Sequence, residues 1–179
     1  MLLGEAVARL YYTTLDEAID GKFCQALGLF SLTYNPILNG VAKDSIIPTE
    51  IDTFWRNRRA WGEVHDENAC GVGGVAGHAG LFATAFDIAQ FGRAWLYNDP
   101  ILGLSDTIRH QATQHHASGQ FNMGLGWMLK AESGSSAGDL YSPSSYGHTG
   151  FTGTSLWIDP EQEIISAVLT NRVYHGRDP

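Results

Sequence analysis

Two sequence patterns are typical of a serine nucleophile: G-x-S-x-G, which exposes the serine, and S-x-x-K, which places a base beside it. Residues 134–138, G-S-S-A-G, formally fit the G-x-S-x-G pattern, in which a sharp turn between a strand and a helix exposes the serine. No hydrophobic strand leads into this Ser/Gly-rich stretch, so we interpret Ser136 as an incidental match. A lysine one helical turn after a serine could take its proton, but Ile, Gly and Trp stand three residues before Lys22, Lys43 and Lys130. The sequence therefore contains no S-x-x-K pair.

Side chains that can bind a metal ion lie in or beside the glycine-rich stretch 71–80: His65, Asp66, Glu67 and His78. Histidine and carboxylate groups are zinc ligands, but this spacing matches no strong motif such as H-E-x-x-H. A metal site at His65, Asp66 and His78 therefore stands as one hypothesis. The other is that these groups hydrogen-bond to loop amides and fix the shape of the loop.

The most informative segment runs from Tyr146 to Pro160, Y-G-H-T-G-F-T-G-T-S-L-W-I-D-P, and predicts a strand studded with glycine. Glycines along a strand allow another backbone to approach closely, and His148 and Thr149 would line the mouth of such a groove. From residue types alone we interpret this segment as a strand that docks substrate, with an ordinary bulged strand as the alternative.

Helical patterns dominate the first half of the chain. Thr14 and Glu17 form a capping box, Gly28 is placed to end a helix, and a second helix is expected to begin near Thr84. One apolar helix face is predicted near the N-terminus, at Leu2, Leu3, Ala6 and Leu10.

The second half of the chain predicts strands, at residues 121–130, 144–150, 153–158 and 164–172. The last two read as an antiparallel hairpin around a turn that contains Pro160. Helices followed by consecutive strands indicate an α+β fold. We expect residues 1–120 to be mainly helix and loop, and residues 121–179 to supply the strands of the sheet.

The composition excludes several classes of function. The 179 residues carry 11 Lys and Arg against 19 Asp and Glu, a net charge of −8, so the basic surface of a nucleic-acid binder is missing. No apolar run reaches the ~18 residues of a membrane span. The sequence indicates no cofactor and assigns no compartment. We interpret Cys24 and Cys70 as free thiols, while a disulfide between them stays open.

The glycine-studded segment resembles the third motif of the serine β-lactamase and penicillin-binding-protein superfamily, in the variant with H-T-G in place of K-T-G. Residues 147–173 resemble the central strands of that family, and residues 62–82 resemble a block typical of its esterase-like and penicillin-binding members. Residues 15–36 are similar to the helix and turn after its second motif, although Gln25-Ala26 replaces the usual proline. The resemblance covers nearly the whole chain and implies an incomplete β-lactamase/transpeptidase-like fold.

The resemblance also implies a serine hydrolase that acts by acyl transfer on an ester, an amide or a β-lactam. The backbone N–H of Phe151 would be one donor of the oxyanion hole, and such a donor is typically worth about 3 kcal/mol of barrier. His148 would replace the usual lysine and position a substrate carboxylate or tune proton transfer. Thr149 would hydrogen-bond to the substrate, and Gly150 would let the substrate backbone approach. The implied partner is a small-molecule or peptide substrate of the acyl type.

The departures from the family pattern lead to further expectations. The S-x-x-K nucleophile and a Tyr-x-Asn-type second motif would lie upstream of Met1, and a closing helix would follow about Arg177. We therefore expect a C-terminal portion of a family member that is inactive alone. An incomplete sheet exposes a strand edge, so we expect a homo-oligomer or a partner that supplies the N-terminal half. A non-catalytic binding or self-associating module that keeps the groove is the competing interpretation.

Overall fold

The computed structural model describes residues 1–117 and 122–177, which divide into two compact units. The first unit contains residues 1–87 and the described residues from Thr170 onward, and the second contains Ile88–Leu169. Helices come before an antiparallel sheet along the chain, which confirms the predicted α+β class. No helix in the described part of the chain combines the length and the apolar character needed to cross a membrane.

Three helices open the first unit: α1 (Leu2–Tyr11), α2 (Leu15–Ile19) and α3 (Gln25–Leu27), with a π-helical turn over Asp20–Cys24 between α2 and α3. The predicted capping box is confirmed, because the backbone amide of Thr14 donates to the Glu17 carboxylate at 3.2 Å and the Thr14 side chain accepts from the helix. Gly28 adopts the left-handed conformation, with φ of 69°, and ends α3 as predicted.

The predicted apolar face of α1 is wrong. Leu2, Leu3 and Leu10 are 87%, 83% and 76% exposed, and the buried residue of this helix is Gly4. A Cβ added to Gly4 would lie 3.0 Å from the backbone nitrogen of Gly77. The helix therefore packs through its smallest residue, because only there can it approach the glycine-rich loop so closely.

The rest of the first unit is largely irregular, as predicted for the stretch after Tyr34. It contains a short antiparallel pair, β1 (Ile51–Asp52) and β2 (Arg58–Arg59), and helix α4 (Glu67–Gly71). Backbone amides of three residues donate to the buried Asp52 carboxylate: Phe54, Trp55 and Arg56. The Arg56 guanidinium pairs with the same carboxylate at 3.0 Å, so this buried charge is fully compensated where the chain turns back.

The second unit is built on a four-stranded antiparallel sheet of order β3-β4-β5-β6: β3 (Met128–Leu129), β4 (Tyr146–Thr149), β5 (Thr154–Asp159) and β6 (Ile164–Leu169). The predicted β5–β6 hairpin is confirmed, with Asp159 opposite Ile164. The strand predicted over 121–130 is only two residues long, and Phe121 lies outside the described residues. The last strand ends at Leu169 rather than at residue 172.

Helix α5 (Ala85–Leu96) packs on one face of this sheet, and α6 (Asp106–Ala112) adds to the same core. At the centre, the Trp127 ring lies edge-on to Trp95 at 5.1 Å and to Tyr146 at 5.3 Å between ring centroids. Such aromatic pairs add about 0.5–1.5 kcal/mol each beyond the area that they bury. The cluster anchors the first residue of β4 and so sets the direction in which that strand leaves the core.

Asp159 holds the turn of the β5–β6 hairpin and is completely buried. Its carboxylate accepts hydrogen bonds from the backbone amides of Ser142, Glu161 and Gln162 at 2.7, 3.0 and 3.1 Å. Burial by itself raises the pKa of this carboxyl, but the amide donors outweigh it and lower the pKa of Asp159 to about 2. The ionised carboxylate therefore ties the 142–145 segment to the hairpin.

Candidate functional site

The four predicted site residues are consecutive and lie where β4 ends and turns into β5. His148 and Thr149 close β4, opposite Leu156 and Ser155 of β5, while Gly150 and Phe151 begin the turn. His148, Gly150 and Phe151 are exposed, and Thr149 is half-buried. The structure thus presents this stretch at the surface of the second unit, where a ligand can reach it.

Backbone hydrogen bonds fix the shape of this turn. The Gly150 amide donates to the carbonyl oxygen of Thr154 at 2.7 Å, and the Gly153 amide donates to the carbonyl oxygen of Gly150 at 3.0 Å. A Cβ on residue 150 would collide with the Thr154 hydroxyl oxygen. A side chain at position 150 therefore requires the Thr154 side chain to move. Sequence reasoning missed Thr154, and the signal that could have found it is a β-branched residue four positions after the glycine.

The ring of His148 is oriented by its own backbone. Its Nδ1 lies 2.8 Å from the carbonyl oxygen of Thr149. A carbonyl oxygen can only accept, so Nδ1 must carry the proton, and in the neutral ring Nε2 keeps the lone pair. His148 can therefore accept a proton at Nε2, or donate from Nε2 to a carboxylate once the ring is charged.

The hydroxyl of Thr149 has a weak partner. Its Oγ1 donates to the sulfur of Met128 at 3.7 Å, and a thioether is a poor acceptor. A stronger acceptor on a ligand could take this hydrogen bond at little cost. The hydroxyl of Thr149 can thus hydrogen-bond with a bound molecule, and the role that the family resemblance implies for it stays a prediction.

Ser136 is confirmed as an incidental match to G-x-S-x-G. It lies in the loop between β3 and β4, where no strand leads in and no helix follows within residues 130–145. The neighbouring Ser135 hydroxyl accepts from the Ala137 amide at 3.2 Å, as an ordinary loop residue does. This segment lacks the strained turn that would activate a nucleophile.

The structure does not bring the three proposed metal ligands together. His65 Nε2 lies 2.9 Å from the buried Glu50 carboxylate, which also accepts from Arg177 Nε at 2.7 Å. His78 Nε2 instead lies 3.3 Å from Asp66 Oδ1, and Asp66 caps α4. Across residues 1–117 and 122–177, no group of three or more His, Cys, Asp or Glu side chains could hold a metal ion. The alternative, hydrogen bonds to loop amides, is observed for Asp66, which accepts from the Ala69 amide at 2.7 Å, whereas His65 and His78 lie against the carboxylates of Glu50 and Asp66.

Both cysteines are free thiols, as predicted. Cys24 is buried, whereas Cys70 is half-buried. Burial, with a smaller contribution from the negative charges of Asp20 and Asp87, raises the pKa of the Cys24 thiol to about 11. Cys24 is therefore protonated at neutral pH, which makes it a poor nucleophile.

The whole chain matches one known family. The family model described as Beta-lactamase matches residues 1–179. A putative D-alanyl-D-alanine carboxypeptidase from Escherichia coli (strain K12) is 34% identical over 189 residues, covering 96% of this chain and 43% of the relative. The chain thus spans less than half the length of the curated relatives that it matches.

Solved structures show the same fold at lower identity. A β-lactamase, Mb2281c, from Mycobacterium bovis is similar with a TM-score of 0.63 at 20% identity, covering 98% of this chain and 56% of that one. The octameric penicillin-binding protein homologue from Pyrococcus abyssi gives a TM-score of 0.66 at 16% identity, covering 98% and 38%. These likenesses concern the fold alone, and they confirm the expected incomplete β-lactamase-like architecture.

Proposed function

Because the chain belongs to the beta-lactamase family, we propose that it supplies the substrate-binding wall of a serine hydrolase site that works by acyl transfer. The substrates would be esters, amides or β-lactams. The observation that carries the proposal is the β4–β5 turn, in which His148, Thr149, Gly150 and Phe151 are presented at the surface on a backbone held by internal hydrogen bonds. Hydrogen-bond donors stabilise the charge that develops in a transition state best when the backbone already holds them in position.

Phe151 would donate its backbone N–H to the oxyanion of the tetrahedral intermediate. The Gly150–Phe151 peptide precedes a turn closed by the Gly153 amide on the Gly150 carbonyl. That hydrogen bond and the Gly150–Thr154 bond limit rotation of the peptide, so its N–H would need little reorganisation during the reaction. A single donor of this kind is worth about 3 kcal/mol of transition-state stabilisation.

His148 and Thr149 would bind the polar end of the substrate. The curated relatives are named as putative D-alanyl-D-alanine carboxypeptidases, which favours a peptide substrate with a free carboxylate. An imidazolium ring attracts such a carboxylate and donates from both nitrogens, whereas the neutral ring donates from Nδ1 alone in this arrangement. We therefore expect His148→Ala to weaken the binding of carboxylate ligands.

The chain alone would not turn over substrate. Acyl transfer requires a nucleophile with a base beside it, and this sequence contains no S-x-x-K pair. The proposed hydrolase site therefore requires a second polypeptide that carries the S-x-x-K pair. A non-catalytic binding module would keep the same groove and have no such component.

Two measurements test the proposal. Purified chain is assayed with nitrocefin and p-nitrophenyl acetate, and N-acetyl-D-alanyl-D-alanine is titrated while the backbone amides are followed by NMR. We expect no turnover, together with amide shifts at residues 148–151 that His148→Ala weakens at pH 6. His116→Ala is the control, since His116 is exposed and bonded to the Gln111 carbonyl in α6. Absence of shifts at residues 148–151 would rule out the binding wall.

A mixing experiment separates the two interpretations of an inactive chain. The part of the E. coli relative that precedes its match to Met1 is expressed separately and added to this chain. Restored turnover of p-nitrophenyl acetate supports the proposed hydrolase wall. Unchanged zero turnover, with ligand binding retained, supports the non-catalytic module instead.

A further inference from the structure

Met128 of β3 and Thr149 of β4 make a side-chain contact between neighbouring strands. The Thr149 hydroxyl donates to the Met128 sulfur at 3.7 Å, and the contact runs diagonally, because the direct partner of Met128 on β4 is Gly147. Met128 is 6% exposed, whereas Thr149 is half-buried. The contact thus joins a buried sulfur to a hydroxyl at the partly open end of β4.

The direction of the Met128 side chain follows from its neighbours. A Cβ on Gly147 would lie 2.6 Å from the Trp157 ring, so the indole fills the space above that glycine. On the side away from β4, Met128 pairs with Met123 in an isolated bridge. The Met128 side chain therefore extends along β4 towards Thr149 instead of straight across the sheet.

We propose that Met128 is a positioning residue for Thr149: its sulfur orients the hydroxyl in the free protein and releases it to an acceptor on the ligand. A hydroxyl has one proton to donate, so the sulfur and the ligand compete for it. A thioether is a weak acceptor, whereas a hydrogen bond to a carboxylate is about twice as strong as a neutral one. The exchange therefore favours the ligand. This inference rests on the proposed binding wall.

The strength of the acceptor at position 128 should then set the affinity for carboxylate ligands. Met128→Gln offers a carbonyl oxygen, which would hold the Thr149 hydroxyl more strongly than sulfur does. An ordinary hydrogen bond contributes about 1 kcal/mol, so we expect Met128→Gln to weaken ligand binding about fivefold. Met128→Leu removes the acceptor and keeps an apolar side chain, and the affinity should stay within about twofold because the lost bond is weak.

NMR titration with N-acetyl-D-alanyl-D-alanine at pH 6 tests this expectation in two backgrounds. Thr149→Val keeps the shape of the side chain and removes the hydroxyl. We expect Met128→Gln to weaken binding about fivefold when Thr149 is present and to have no effect in the Thr149→Val background. An equal loss in both backgrounds would show that Met128→Gln acts by distorting the strand, and it would overturn the proposal.

Met123→Gln is the matched control, since it makes the same substitution on the side of Met128 that faces away from β4. It should leave the affinity for the dipeptide unchanged. A loss as large as that of Met128→Gln would show that the hydrogen bond to Thr149 is not the cause, and it would count against the proposal.

The methyl group of Met128 gives a readout that needs no ligand and no Met128 variant. The chain contains three methionines, so carbon-13 labelling of their methyl groups yields few signals. In the free protein, we expect Thr149→Val to shift the Met128 methyl resonance and to leave that of Met1 in place. An unchanged Met128 resonance would show that the sulfur does not hold the hydroxyl, and the proposal would fail.

The same labelled sample separates this inference from the proposed function. When the dipeptide is added to the unmodified chain, we expect the Met128 methyl resonance to move together with the amides of residues 148–151. If the amides shift and the methyl resonance does not, the release of Thr149 is rejected while the binding wall stands. If neither moves, the binding wall and the release step are both rejected.

Discussion

Thr154 holds Gly150 from two sides. Its carbonyl oxygen accepts the Gly150 amide at 2.7 Å, and its hydroxyl occupies the space that a Cβ on residue 150 would need. The backbone that leads to Phe151 is therefore shaped by a residue on the neighbouring strand. The contact between Thr154 and Gly150 therefore links strand β5 to the residues that are proposed to bind substrate.

We expect Gly150→Ala to distort this turn and to weaken ligand-induced shifts at residues 148–151, because the new methyl group collides with the Thr154 hydroxyl. Adding Thr154→Gly should relieve part of the effect. Gly21→Ala is the matched control, since a Cβ there meets no atom within 4 Å. Thermal unfolding and NMR titration measure both effects. Equal behaviour of Gly150→Ala and Gly21→Ala would contradict this account.

Acid should destabilise the β5–β6 hairpin through Asp159. Its pKa of about 2 in the folded chain lies below the ordinary value of 3.8, so its contribution to stability is present above pH 4 and is lost as the pH falls towards 2. We expect Asp159→Asn to lower the free energy of unfolding at pH 6 and to flatten its decline below pH 4, as measured by urea unfolding.

The exposed Asp139 supplies the control for this pH dependence. Asp139→Asn should leave the acid limb of the stability curve unchanged. At neutral pH, Asp159→Ala should cost on the order of 2–3 kcal/mol, because it leaves buried amide donors without their acceptor. If the free energy of unfolding of Asp159→Asn declines below pH 4 as steeply as that of the unmodified chain, the Asp159 carboxylate is not the cause of the acid destabilisation.

Trp127 should dominate the core of the second unit. It is 7% exposed and lies among Phe91, Trp95 and Tyr146. We expect Trp127→Ala to destabilise the fold by about 3–5 kcal/mol. Trp55→Ala, at a residue 48% exposed, should cost far less. Denaturant unfolding followed by circular dichroism compares the two, and a similar loss in both would contradict the assigned core.

The buried cluster around Glu50 should matter more than the exposed Asp66–His78 pair. Glu50→Ala removes the buried carboxylate that lies 2.9 Å from His65 and 2.7 Å from Arg177, so it should cost about 1–3 kcal/mol. His78→Ala should cost less than about 1 kcal/mol, because that pair is open to solvent. The comparison is made by urea unfolding at pH 7, and the reverse order would show that burial does not set these energies.

Features formed by residues close together in the chain could be predicted from the sequence. The Thr14–Glu17 capping box and the hairpin turn at Asp159 depend on hydrogen bonds across a few residues. The stretch from His148 to Phe151 is contiguous, so any fold that makes it a strand end keeps these residues together. Their chemical roles come from family resemblance and remain proposals.

Other features were decided only by the tertiary structure. The apolar face of α1 was expected to be buried, but close approach of Gly4 to Gly77 leaves Leu3 exposed. Arg177 reaches Glu50 across more than a hundred positions in the chain, a pairing that periodicity cannot indicate. Local sequence patterns indicate which faces a helix or strand can form. Which face is buried, and which distant residues pair, depends on the segment that packs against that helix or strand.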